Sequence, residues 1–243
     1  MTTNITTLTN RASHNTLLVI SMFYMSFMLC NAILTNRYIG SDVLFVLGGT
    51  LTSPFIFILD NIIAELYGFP IARNVILCGY AAQTLFILIC QFIILLPYPQ
   101  FFNYSEGYSQ VLGISLLRIN ISGFVAYITA NLINSYILTR WKVLVKGKYF
   151  WLRSLGCTSF SAALYSFIAI LMMELYSLPM KYILHVATIS FFIKITYSMI
   201  LAFPAQILVN YLKEYTGMDV YDLPDELTPF KFLHTKPREQ EHD

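Results

Sequence analysis

The sequence predicts an all-α, polytopic membrane protein of six transmembrane helices with both termini cytoplasmic. Three observations predict it. Of the 243 residues, 57% are hydrophobic and only 12% charged, where soluble domains carry about 25% charged residues. The apolar residues gather into runs near the roughly 20 that cross a bilayer as a helix. Lys and Arg concentrate in alternate connections, as cytoplasmic loops do.

The polar residues 1–14 predict a short leader, with no small-residue cleavage pattern after the apolar run that follows. Residues 15–213 form the membrane domain. Its spans are expected at 15–36, 43–59 and 74–96, which hold no charge, at 110–139, interrupted only by Arg118, at 154–173, again uncharged, and at 182–212, interrupted only by Lys194. Gly48, Gly49 and Pro54 predict a kink in the second span, whose helix runs on through Asp60, Asn61 and Glu65 until Gly68 and Pro70 end it, and Pro204 predicts a kink in the sixth. Residues 214–243 form a polar cytoplasmic tail.

With both ends inside, the inner segments hold Arg11, Arg73, Arg140, Lys142, Lys146, Lys148, Arg153, Lys213, Lys231, Lys236 and Arg238, against Arg37 and Lys181 outside. An odd number of helices would break this asymmetry.

The net charge of +2 gives no argument for nucleic acid. Cys30, Cys78, Cys90 and Cys157 sit in apolar runs without metal-ligand spacing, so no metal or other cofactor is expected. Zincin, nucleophile and phosphate-loop motifs are absent, which argues against an enzyme and against ATP hydrolysis by this chain through a phosphate loop.

Charge at membrane depth costs about 3 kcal/mol, so an ionisable residue there is a functional candidate. Asp60, Glu65, Arg118 and Lys194 are four, two of each sign. Asn61 and Glu65, four apart, face one way. Pairing with Arg73 or a basic loop is one role for Glu65, contact with substrate another. Asn120, Tyr127, Asn131 and Asn134 fall on one stripe of the fourth span, and amides present the paired donors and acceptors that suit the edge of a planar heterocycle. Interhelical hydrogen bonding is the alternative use of the same amides. Ser154, Thr158, Ser161 and Tyr165 share a face of the fifth span: small hydroxyls for close packing, with a ring that could stack on a ligand.

"PFIFILDNIIAELYGFPIAR" at 54–73 resembles the signature of the queuosine precursor transporter family, a vitamin-uptake-transporter-like group of six-helix membrane proteins. "LLRINISGFVAYITANLINSYIL", "WLRSLGCTSFSAALYSFIAI", "FFIKITYSMILAFPAQILVNYLKE" and the tail "GMDVYD" with "TPF" are similar to later family segments in the same order, covering most of residues 31–231. Glu65, Tyr67, Gly68, Arg73, Arg118 and Lys194 match by motif position. The family's Asp in the first motif falls on Asn61, its fourth-helix Gln and Asp fall on Asn131 and Asn134, and its fifth-helix Asp falls near Tyr165.

The resemblance implies a multi-pass importer in the bacterial inner membrane, carrying 7-cyano- or 7-aminomethyl-7-deazaguanine or queuine for tRNA modification. Its expected substrate-binding residues are Asp60, Asn61, Glu65, Arg118, Asn131, Asn134, Tyr165 and Lys194. Its partners are then that small molecule and the lipid bilayer, with a homo-oligomer or a separate energy-coupling partner left open. Import of another planar nucleobase or vitamin-like compound is the alternative, and a non-transporting membrane partner protein the alternative of another class.

Overall fold

The computed structural model describes residues 2–41, 45–99, 101–174 and 179–221. Its elements in chain order are α1 (Thr2–Leu34), β1 (Tyr38–Gly40), β2 (Phe45–Leu47), α2 (Gly49–Tyr67), α3 (Phe69–Leu95), α4 (Ser105–Leu112), α5 (Ile114–Leu144), α6 (Phe150–Glu174) and α7 (Met180–Thr216). Among the described residues six spans are long and apolar enough to cross a membrane, α4 and α5 together making one of them. The expected tail beyond Tyr221, with its "TPF", lies outside the described residues.

The surface is largely apolar, and the interior sets many polar groups among apolar core clusters. Met22, Phe23, Phe92, Ile121, Phe192 and Phe203 are exposed, while Asp60, Asn61, Glu65, Asn131, Asn134 and Lys194 are buried. In lipid an exposed apolar side chain carries no penalty, whereas each polar group must find a partner within the bundle.

The second helix starts later than the uncharged run 43–59 and ends, as expected, at Gly68. Residues 45–47 instead pair as a strand with 38–40, in the register Tyr38↔Leu47, Ile39↔Val46 and Gly40↔Phe45. α2 then runs on to Tyr67, carrying Asp60, Asn61 and Glu65 inside it. The physical reason is its position. In the most apolar stretch of α2, 78% of residues are buried, against 28% in those of α1 and α3, so α2 is the central helix, walled by protein. It therefore tolerates polar residues that a lipid-facing span does not.

Local chemistry sets its limits. At Gly48 an added Cβ would stand 2.5 Å from the Leu34 carbonyl oxygen, and at Gly49 it would collide with Thr35 Oγ1, so α2 starts where α1 ends only because both residues lack side chains. Pro54 removes one backbone donor, and the Ser53 hydroxyl donates instead to the Thr50 carbonyl at 3.4 Å. Gly68, at φ 85°, reverses the chain so that Pro70 opens α3. Gly48→Ala is expected to destabilise the bundle by about 1–3 kcal/mol through overpacking against backbone, read as a lowered melting temperature in detergent.

The other expected boundaries hold to within a few residues, with two additions. The connection after Pro97 and Pro99 contains α4, and Gln91 Nε2 donates to the carbonyls of Leu112 and Gly113 at 2.6 and 2.9 Å, satisfying the end of that short helix. The backbone of the polar N-terminus continues into α1 as helix from Thr2. An even number of crossings brings the start of α1 and the end of α7 to one side. That end of the bundle also holds the α2–α3 and α5–α6 turns; the hairpin lies at the other.

Candidate functional site

Four of the residues expected from the sequence meet in one cluster between α2, α5 and α6. Asn134 Nδ2 donates to Asn61 Oδ1 at 2.5 Å and more weakly to Asp60 Oδ2 at 3.5 Å. Ser135 donates to Asp60 Oδ2 at 2.8 Å. Asn61 Nδ2 donates to Ser154 Oγ and Thr158 Oγ1 at 2.7 and 2.9 Å. Asn131 Nδ2 reaches the Tyr24 hydroxyl at 3.5 Å, and that hydroxyl is hydrogen-bonded to Tyr127. The amide stripe thus belongs to the interior. Asn131 Oδ1, Asn134 Oδ1 and Ser161 Oγ are buried and have no hydrogen-bond partner among the described residues. Such atoms are costly to leave empty-handed, about 1–3 kcal/mol each.

Toward the hairpin end, Tyr165 and Lys194 face a narrow cleft whose lining includes Thr50, Ser122 and Ser190. Lys194 Nζ donates to Ser166 Oγ at 2.8 Å and stands 4.4 Å from the centre of the Tyr165 ring. The ammonium occupies a face of that ring, while Phe57 and Tyr127 approach it edge-on with centroids 6.3 Å away. Tyr165 thereby holds the cation and links the cleft to the Tyr127–Tyr24–Asn131 chain. About 20 Å³ of the cleft is open to a water-sized sphere, space for about one water.

Arg118 stands apart. It lines a wider vestibule of about 290 Å³ with Tyr38, Gln110, Ser115 and Glu174, and is itself exposed. Thr35, Leu47, Ile119 and Met173 border both spaces and form the neck between them. Burial raises the Tyr38 phenol above its ordinary value, and the hydrogen bond and charge of Glu174 add to this, so it stays neutral.

Glu65 lies at the opposite end, in an ion-pair network. Arg153 grips both carboxylate oxygens, Nη1 to Oε2 at 2.9 Å and Nη2 to Oε1 at 3.0 Å. Lys213 Nζ lies 2.8 Å from Oε1, and Lys142 Nζ 3.9 Å from it. Both lysines also hold Asp219, at 2.6 and 2.9 Å. Beyond Gly217, in the left-handed conformation, the chain turns back over this end. Val220 donates its N–H to the Leu66 carbonyl and accepts from Lys142, and the Tyr221 ring lies 4.6 Å from that ammonium.

In the sequence Lys142, Arg153 and Lys213 report topology, and the basic loop that offers Glu65 a partner is the signal that points to Lys142 and Arg153. Burial alone would raise the carboxyl of Asp219, but hydrogen bonds from Lys142 and Lys213, with their charges, hold it below the ordinary value. A depressed folded value means that its contribution is complete above about pH 4 and is lost as pH falls through that value. An Asp219→Asn variant is accordingly expected to match wild type in melting temperature at low pH and to fall below it near neutrality.

A family model described as "Putative vitamin uptake transporter" matches residues 47–209, which include every candidate residue. No curated protein and no solved structure matches the chain at a significant level.

Proposed function

The chain belongs to the vitamin uptake transporter family, and from that premise we propose that it imports a queuosine precursor, a 7-deazaguanine-type base, across the bacterial inner membrane. One observation supports this most: two buried amide oxygens, Asn131 Oδ1 and Asn134 Oδ1, and the Ser161 hydroxyl on neighbouring α6 have no hydrogen-bond partner among the described residues. A guanine-type edge presents ring N–H and amino donors that such acceptors satisfy.

In this reading both termini are cytoplasmic, the vestibule at Arg118 opens outward, and the Glu65 network closes the inner end. The neck and the narrow cleft make the structure an occluded state, and a base reaches the amides only after the helices part, as alternating access requires. Asp60, Asn61, Asn131 and Asn134 read the base, Tyr165 and Lys194 border its path, Arg118 meets it first, and Glu65 holds the inner gate.

A second reading, import of another planar heterocycle or a vitamin, is favoured by the neutral amides at 61, 131 and 134, which lack the charge that would select an aminomethyl cation. The test is the queuosine content of tRNA in a host unable to make the precursors and lacking its own importer, expressing this chain on trace 7-deazaguanine bases or queuine. Restored queuosine is expected. Its absence, with the protein present in the membrane, counts against the precursor and for the second reading.

A further inference from the structure

Lys194 is only 2% exposed, and among the described residues no carboxylate lies within 4 Å of its ammonium. Two other buried cations, Lys142 and Arg153, each have Glu65 within 4 Å. An ammonium has three donors, and here one is used by Ser166 Oγ while the Tyr165 ring supplies only its quadrupole. A cation buried among membrane helices without a counter-ion costs several kcal/mol unless an acceptor completes it.

The surroundings fit an acceptor ligand. Ser190, Lys194 and Ser198 recur every four residues on α7 and are all buried. Ser190 shares a 2.9 Å hydrogen bond with Thr50, and both line the same cleft as Lys194. Ser198 Oγ has no partner among the described residues. The cleft adjoins the vestibule through a shared neck, and Arg118 stands on the vestibule wall. An oxygen-bearing ligand entering from the vestibule therefore passes one cation and then meets a second.

We infer that Lys194 binds an acceptor oxygen of the carried molecule, a ring carbonyl or a carboxylate, and that Tyr165 and Ser166 position its ammonium for that contact. This rests on the transport reading above and adds to it an end of the substrate. The cationic end takes the oxygen, and the amide cluster beyond Tyr127 takes the N–H edge. A hydrogen bond to a charged donor discriminates strongly against a ligand that lacks the acceptor.

The test is ligand-induced thermal stabilisation of the purified protein by two matched pairs of probes. One pair is 7-deazaguanine and 2-amino-7-deazapurine, which lacks the ring carbonyl; the other is nicotinate and nicotinamide, a planar acid and its amide. Wild type is expected to prefer 7-deazaguanine in the first pair or nicotinate, the anion, in the second at least tenfold, and Lys194→Met to lose that preference. Because each preference is a ratio within one variant, it does not depend on the amount of folded protein; Lys194→Gln serves if the methionine variant does not fold. Preference in the first pair identifies a carbonyl. Preference in the second identifies a carboxylate, which supports the role of Lys194 while counting against the 7-deazaguanine reading. A preference that persists unchanged without Lys194, or no preference in either pair, overturns the inference.

Discussion

Glu65→Gln is expected to destabilise the folded protein by about 3–5 kcal/mol, the largest effect of any single change considered. Removing one partner of a buried pair strands the other charges. Glu65 is 1% exposed, as are Lys142 and Arg153, and its loss leaves Lys142 and Lys213 with Asp219 alone and Arg153 with no carboxylate within 4 Å among the described residues. Glutamine keeps the shape, so packing does not confuse the result. Arg153→Met in the same chain is expected to recover part of the loss, because the double change removes a stranded cation. Asp219→Asn is expected to cost less, about 1 kcal/mol or below, since that side chain is 40% exposed. Equilibrium unfolding in micelles ranks the variants; equal losses for Glu65→Gln and Asp219→Asn would contradict the network as drawn.

Asn134→Ala is expected to reduce uptake at least tenfold per folded molecule. Asn134 is fully buried, bridges Asn61 and Asp60, and still presents an acceptor that meets no donor among the described residues. Alanine removes the bridge and the acceptor together. If the amide only ties helices, the change costs about 1 kcal/mol of stability and leaves uptake per folded molecule as it was. Measuring both quantities on the same preparation separates the two roles.

The two expectations explain what could be seen in the sequence. Five lipid-facing spans were legible because lipid contact demands uncharged runs of the length found. The end of α2 was legible too, since Gly68 and Pro70 close it beyond Asp60, Asn61 and Glu65, but its start was not: in a central helix walled by protein, nothing in the apolar run before Gly48 tells strand from helix. The amide stripe of α5 was legible from its spacing, since helical period alone puts Asn131 and Asn134 on one face.

The partners of Glu65 were not legible. Arg153 and Lys213 are 88 and 148 residues away in the chain, and only packing of α6 and α7 around α2 brings them together. Arg118 and Lys194 look alike in sequence, each a lone cation in an apolar run. The fold separates them, one on the vestibule wall and one against Tyr165.

Passage of a 7-deazaguanine-type base through the buried amides, as proposed, is measured with purified protein in liposomes preloaded with unlabelled 7-cyano-7-deazaguanine and diluted into a trace of the labelled base. Label is expected to accumulate by exchange in wild-type vesicles and at least tenfold more slowly with Asn134→Ala. Label that enters no faster than in protein-free vesicles would rule out such transport.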